Sequence, residues 1–363
     1  MRLKPERIAT VPRYLEIKAR ILAEIRSGRL APGDRLPNEV DLAERFGVSR
    51  MTANRAVVSL AEDGWVVRRR HSGTFVSDQA RHPSPNPVLV LAQPEMVLKD
   101  EFFQTIYWQL RTHLAARGLP LQVAAPPPRD TVEWMLGLGA APLIAIATPR
   151  YAYDDLLEVA RRGLPTVAIA SDVQGFGLYS VDADNLMGAA LAVRHLGSLG
   201  HTRVAFVGGY PEESNSLDRE RGYQTACTAA GLDADPRLSF MFPTDSFASS
   251  PETEARLRSA LASKDRPTAL FAAGPRLAMQ ALRTAADLGL RVPEDLSIVA
   301  FDDPPYLALS LPPLTTVRQP FDEMASCVAE LVAGSAVPTA GGRRLFPPEL
   351  VVRASTSAPP TEP

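Results

Sequence analysis

Near the start of the chain, apolar residues recur at three- and four-residue intervals, the period of a helix with one buried face. Over residues 13–27 they fall at Tyr14, Ile17, Ile21, Leu22 and Ile25, which predicts a helix stopped by Gly28 and Pro32-Gly33. A second short helix is expected after Asn38, a suitable cap, with Glu39 and Asp41 where the helix dipole favours acid. The turn Gly47-Val48-Ser49 leads into a third helix with the apolar stripe Ala53, Ala56, Val57, Leu60 and Ala61. Ser49 is placed to cap that helix and Gly64 to end it. Two β-rich runs, residues 65–67 and 74–76, flank Arg68-Arg69-Arg70-His71-Ser72-Gly73 and predict a hairpin with a basic tip. Together these elements read as a helix-turn-helix with a wing.

Residues 77–87 are polar and carry three prolines, so they read as an extended, semi-rigid linker. At about 3.1 Å per residue it spans roughly 30 Å. From Val88 the period changes. Short apolar runs at 88–92, 121–125, 143–147, 166–170, 204–208, 269–273 and 297–301 alternate with helical segments near 102–117, 130–138, 153–162, 184–199, 219–230 and 275–288. Apolar strands alternating with helices argue α/β architecture with parallel sheets covered on both faces. A stretch of about 270 residues is more than one such sheet comfortably holds, so two lobes are expected.

Charge divides the chain at the same place. Residues 1–82 hold 16 Lys+Arg and 10 Asp+Glu, a net of +6, and the remainder holds 23 and 31, a net of −8. A basic head on an acidic body points to a polyanion met by the head alone. At 45 % hydrophobic and 22 % charged, the 363-residue chain has the composition of an ordinary globular protein. There is no apolar leader and no run long enough for a membrane span, so a cytoplasmic protein without a membrane partner is expected. Cys227 and Cys327 lie in apolar helical contexts with no metal spacing and read as reduced core residues.

On the third helix, Arg50, Thr52, Asn54 and Arg55 lie off the apolar stripe and suit phosphates and base edges in a major groove. Arg35 in the connector and Arg70 in the wing tip add cations for phosphate or minor-groove contact. In the body, ligands of open parallel sheets bind beyond the carboxyl ends of the strands. That rule selects Arg150, Ser171, Asp172, Asp302 and Asp303, with Arg219 opening a helix after the 204–208 run. Asp and Arg grip hydroxyls or carboxylates by charge-assisted bonds, and Phe102 and Phe103 offer flat faces for stacking. The plain alternatives are a turn or cap for Asp303, a surface pair with Asp218 or Glu220 for Arg219, and core packing for the phenylalanines.

Residues 13–77 resemble the winged helix-turn-helix domain of GntR-family transcription regulators, through SGRLAPGDRLPNE, LAERFGVSRMTANRAV and EDGWVVRRRHSGTFV. The resemblance implies DNA contacts from Ser49, Arg50, Thr52 and Asn54 on the helix and from Gly73 and Thr74 on the wing. Val40 stands where many members carry a DNA-contacting Arg, and His71 replaces a common wing glycine. Residues 88–357 resemble the effector-binding domain of the LacI/GalR family, through VDADNLMGAALAVRHLGSLGHTRVAFVGG, RERGYQTACTAAGL, LGLRVPEDLSIVAFDD and LFPPELVVRAST. This second resemblance implies two lobes joined by three crossovers, a cleft for a small effector and homodimerisation. It assigns effector contacts to Phe102, Phe103, Arg219 and Asp302. Ala170 and Gly274-Pro275 depart from positions that grip sugar hydroxyls in that family, and its helical hinge is replaced by the proline-rich linker.

The expected division is therefore a DNA-binding domain at 1–76, a linker at 77–87, an effector and dimerisation domain at 88–357 and a tail at 358–363. The expected function is a transcriptional regulator, a repressor, acting on a double-stranded operator under control of a carbohydrate-like effector, with no cofactor and no metal. The alternative is a solute-binding protein or an enzyme on the same scaffold with a non-regulatory head. No GxSxG, HExxH or phosphate-binding loop supports an enzyme, and the five histidines (His71, His82, His113, His195 and His201) are dispersed.

Overall fold

The computed structural model describes residues 13–26, 29–62, 64–69, 72–77, 88–91, 100–124, 130–137, 142–148, 150–233, 235–334, 337–338 and 341–360. Arg70, His71, His82, the linker residues 78–87 and the last three residues of the tail lie outside them. The chain divides into two compact units, one of residues 1–89, 118–122 and 126–142, the other of residues 90–117, 123–125 and 143–363.

In the first unit the head is built from α1 (Arg13–Arg26), α2 (Glu39–Phe46) and α3 (Arg50–Glu62) with the hairpin β1 (Val66–Arg69) and β2 (Gly73–Val76). The predicted stripes are its core. Ile17, Ile21, Leu22 and Ile25 of α1 meet Ala53, Ala56, Val57 and Leu60 of α3, with Leu42, Val66 and Val76 closing the cluster. Two alanines on α3 let α1 and α2 approach closely, and each buried Leu or Ile contributes about 1.5–3 kcal/mol. The caps are as the sequence indicates. Asn38 Oδ1 accepts from the Val40 and Asp41 amides, and Gly47 ends α2 at φ 62°. Ser49 Oγ accepts from the Thr52 amide at 3.2 Å. Residues 34–36 add a third edge to the wing: Val76 N donates to Asp34 O, Leu36 N donates to Thr74 O, and Arg35 bridges Phe75.

The rest of the chain forms two six-stranded sheets. The remaining strands are β3 (Val88–Leu91), β4 (Leu121–Ala124), β5 (Leu143–Ile146), β6 (Thr166–Ile169), β7 (Tyr179–Ala183), β8 (Val204–Gly209), β9 (Ser239–Phe242), β10 (Ala269–Ala272), β11 (Ser297–Phe301), β12 (Thr315–Arg318), β13 (Gly342–Phe346) and β14 (Glu349–Val351). The helices are α4 (Glu101–Ala115), α5 (Thr131–Gly137, grouped with the first unit), α6 (Tyr153–Arg161), α7 (Asn185–Ser198), α8 (Ser214–Ala229), α9 (Pro251–Ala262), α10 (Pro275–Asp287), α11 (Pro305–Leu309) and α12 (Phe321–Ala333). One sheet has the order β13-β7-β6-β5-β3-β4, the other β14-β12-β11-β10-β8-β9. Strands β5, β6, β8, β10 and β11 are buried along their whole length, as strands covered on both faces must be. The chain passes between the sheets after β7, after β12 and after β13, giving the three crossovers expected.

The alternation missed the less apolar strands. β7, β9 and β12–β14 have three to five residues with mixed polarity, and β14 pairs antiparallel with β12 as a returning edge. Cys227 and Cys327 are buried and unpaired. His201 holds the chain end: its ring nitrogens meet Thr268 Oγ1, Ser297 Oγ and the Ser357 carbonyl, while His195 meets Thr356.

Candidate nucleic-acid interface and effector cavity

On the head, Arg50, Met51 and Asn54 fall within one face of α3 by helical period and all three are exposed. Met51 is 80 % exposed and Val40, at the start of α2, 47 %. Thr52 is half-buried and its hydroxyl meets Ser49 Oγ at 2.8 Å. Arg55 is exposed but packs over the Tyr14 ring, 4.4 Å from its centroid, so it braces α1. On the wing, Gly73 sits at φ 112°, and a Cβ there would lie 2.9 Å from Arg35 Nε. Glycine is therefore needed twice over, and the Arg35 side chain lies against Gly73 at the turn end of the hairpin. Arg68, which the sequence placed in the basic tip of the hairpin, stands on strand β1 instead. Its Nη2 donates to Asn54 Oδ1 at 2.6 Å and to Glu39 Oε1 at 3.0 Å.

In the second unit a cavity of about 100 Å³ opens between the sheets' lobes. One wall is the start of α4, where Asp100 accepts from the Phe102 and Phe103 amides and so fixes both rings at the cavity. The other wall is set by strand ends. Tyr210 and Asp302, which follow β8 and β11, adopt φ 51° and 69°, conformations that non-glycine residues seldom hold. Such corners turn the side chain away from the sheet and cluster at functional sites. A larger hollow of about 510 Å³ adjoins it, sharing Glu101, Phe102, Pro275 and Asp302.

Arg219, near the middle of α8, is the buried cation of the cavity, 5 % exposed. It donates to Asn185 Oδ1 and to the Ala273 carbonyl, each at 2.8 Å, and stands 3.8 Å over the Phe301 ring. Its Nη1 is 4.0 Å from Asp302 Oδ2, while Gln319 Nε2 donates to the other Asp302 oxygen. Burial pushes the Asp302 carboxyl up, and Arg219 and Gln319 pull it back. Around this pair the lining is acidic. Burial, with Asp100 and Asp245 near, raises Glu213 to about 7 against the pull of Arg219. Burial beside Asp245 lifts the Tyr210 phenol to about 12, so it stays a hydrogen-bond donor. Arg276 is held by Asp245 at 3.1 Å. Such a set of groups can accept from and donate to hydroxyls.

Of the body residues selected from the sequence, Phe102, Phe103, Arg219 and Asp302 come together here. Arg150, Ser171 and Asp172 do not line the cavity. Arg150 is exposed in a short turn before α6. Ser171 is buried and its hydroxyl accepts from the Thr148 amide. Asp172 turns to Arg343, 3.2 Å away, and its amide donates to Ser214 Oγ. Their strand-end positions satisfied the general rule, but their side chains are used for closing corners. Asp303 is held by Arg318 and Arg353. The residues that sequence reasoning missed, Asp100, Tyr210, Glu213, Asp245 and Gln319, sit on loops or caps, where no periodicity marks them.

Two family models match the chain. Residues 13–76 match the bacterial regulatory proteins of the gntR family, and residues 193–356 match the periplasmic binding protein-like domain. The chain is 29 % identical over 367 residues to an arabinose metabolism transcriptional repressor of Geobacillus stearothermophilus, covering 96 % of this chain and 98 % of the relative. It is 34 % identical over 346 residues to the HTH-type transcriptional regulator reg1 of Streptomyces lividans, covering 89 % and 97 %. A LacI family transcriptional regulator from Mycobacterium smegmatis superposes with TM-score 0.64 at 27 % identity, over 75 % of this chain and 99 % of that one. A CelR–cellobiose complex superposes with TM-score 0.66 at 24 % identity, over 94 % and 99 %, a likeness of fold. The chain belongs to the helix-turn-helix transcription regulators that join a gntR-family head to a LacI-type, periplasmic binding protein-like body, and it is a DNA-binding regulator rather than an enzyme.

Proposed function

We propose that the chain is a cytoplasmic, homodimeric repressor whose hold on its operator is set by a small carbohydrate-like effector in the cavity around Arg219 and Asp302. Residues 1–76 are the DNA-binding part, 77–87 the linker, 88–357 the effector and dimerisation part, and 358–363 a tail. Arg35, Ser49, Arg50, Thr52, Asn54, Arg55, Gly73 and Thr74 are the proposed DNA-contacting set, together with Arg70, which lies outside the described residues. Among the described residues no helix is long and apolar enough to cross a membrane. A single winged helix covers little DNA, so two heads on one dimer reading a near-palindrome supply useful specificity.

The observation that carries the effector class is the buried Arg219–Asp302 pair, ringed by Asp100, Glu213, Asp245 and the Tyr210 hydroxyl. Carboxylates in that arrangement accept from several hydroxyls at once, and Phe102 offers a face for stacking. Relatives named for arabinose metabolism and a neighbour bound to cellobiose fit this chemistry. Where the family carries further sugar-gripping side chains, this cavity has the backbone of Gly274 and the ring of Pro275, so its sugar differs in the hydroxyls presented there. The test is a gel shift of the full chain on DNA upstream of its own and neighbouring genes. Protection of a near-palindromic site, relieved by a sugar that also raises the protein's melting temperature, is expected. No protection at any upstream region overturns the reading.

A further inference from the structure

Arg68 is outside the set of contacts proposed above, yet it is the residue that ties the head's three DNA-side elements together. One nitrogen, Nη2, lies 2.6 Å from Asn54 Oδ1 on α3 and 3.0 Å from Glu39 Oε1 at the start of α2, and Arg68 itself stands on the wing strand β1. All three side chains are at least partly open to solvent, so their bonds are not buried core chemistry. Glu39 holds the guanidinium by charge, which leaves it poised against Asn54.

The chemistry of that contact fixes the orientation of an amide. A guanidinium has only donors, so the face Asn54 turns to it must be the oxygen. The NH₂ group, with two donors, then points away from the wing. Asparagine reads adenine by using both atoms together, the oxygen accepting from N6 and the nitrogen donating to N7. That oxygen has two lone pairs; one is taken by a short, charge-assisted bond, and the guanidinium beside the other weakens it as an acceptor and repels the N6 donor of adenine. The unencumbered end is the donor group, and the base edge that offers two acceptors and no donor in the major groove is guanine, through O6 and N7.

We infer that Arg68 is a positioning residue that holds Asn54 with its NH₂ toward the groove, and that the head thereby prefers guanine over adenine at the base pair Asn54 meets. The inference rests on the proposal that α3 is the DNA-reading helix. It makes the wing part of base recognition through Asn54, beyond any phosphate contact of its own. Arg68→Met should free the Asn54 oxygen and let adenine compete, whereas Arg68→Lys, which keeps a donor and a charge, should keep much of the preference.

The test is selection of duplexes from a random library by the full chain, then titration of the selected duplex with each base pair replaced in turn. The pair read by Asn54 is the one whose preference collapses in Asn54→Ala. Guanine is expected there in the unmodified protein, with about tenfold weaker binding when it is replaced by adenine or by 7-deazaguanine. In Arg68→Met the guanine-to-adenine ratio should fall to within about twofold at that pair alone, and Arg68→Met should add nothing in the Asn54→Ala background. Adenine at that pair in the unmodified protein overturns the inference. So does an Arg68→Met variant that weakens all duplexes equally and keeps its guanine preference, which would make Arg68 a simple phosphate contact. A failure to select any sequence counts instead against the DNA-binding reading of α3. If Arg68→Met does not fold, Glu39→Gln removes the other arm of the clamp and is expected to relax the same base pair.

Discussion

Arg343 on β13 donates to Asp218 on α8 at 3.3 Å, and the bond runs from one lobe of the body to the other. The same guanidinium reaches Asp182 on β7 at 3.0 Å and Asp172 after β6 at 3.2 Å. Asp218 is next in sequence to Arg219, whose side chain meets the cavity. Neighbouring residues on one helix thus touch the cavity and the interlobe cluster. Removing one member of a buried charge cluster leaves the others uncompensated, at about 3–5 kcal/mol. Arg343→Met is expected to lower stability by that order in urea unfolding. Arg343→Lys is expected to recover only part of it, because an ammonium lacks the planar fork that serves three carboxylates. A loss below about 1 kcal/mol would show the cluster to be no brace.

Asp182 gives the cluster a pH dependence. Burial pushes its carboxyl up to about 6 although Arg343 pulls the other way. A carboxyl whose folded value is raised stabilises the fold fully below the unfolded value near 4, and loses that contribution as pH rises through about 6. The loss is about 3 kcal/mol for a rise of this size. The difference in unfolding free energy between the unmodified chain and Asp182→Asn should therefore move against the unmodified chain between pH 4 and 7. A difference that stays flat across that window would contradict the assignment.

Gly73→Ala tests the wing. The new Cβ would lie 2.9 Å from Arg35 Nε at a backbone φ of 112°, so both the turn and the Arg35 guanidinium must move. Left-handed strain costs about 1 kcal/mol or more, small against the whole protein's stability. Operator affinity is expected to fall more than tenfold in a gel shift while the melting temperature of the body is unchanged. An unaltered affinity would remove Arg35 and Gly73 from the DNA surface.

Arg50→Ala addresses the phosphate contribution. Arg50 is exposed at the start of α3 and bears no part of the core. The slope of log affinity against log salt is expected to become shallower by about one for each phosphate that Arg50 neutralises, or two for a dimer. An unchanged slope would mean that Arg50 touches no phosphate.

Much of this architecture was legible in the sequence because burial writes a period. The stripes of α1 and α3 and the continuous apolar strands of the body are each the trace of a face hidden from water. Arg219 and Asp302 were reached by two routes, the strand-end rule and the family resemblance. The rule misled at Ser171 and Asp172 because it locates a corner and says nothing of which way the side chain turns. Asp172 is drawn to Arg343, a residue 171 positions away whose strand is too short and too charged to be read as one. Asp100 caps α4, and its bonds to the Phe102 and Phe103 amides also set those two residues at the cavity. The Arg68–Asn54 bond spans the hairpin and α3, and no spacing within either element announces it.

The most direct test of the whole account is fluorescence anisotropy of a labelled operator titrated with the full chain, with and without a saturating sugar found by thermal shift. The expected result is a change in operator affinity of about 5- to 150-fold, the usual size of such coupling, lost in Asp302→Asn while operator binding itself is retained. A sugar that binds the body and leaves operator affinity unchanged would contradict the claim that the cavity controls the head.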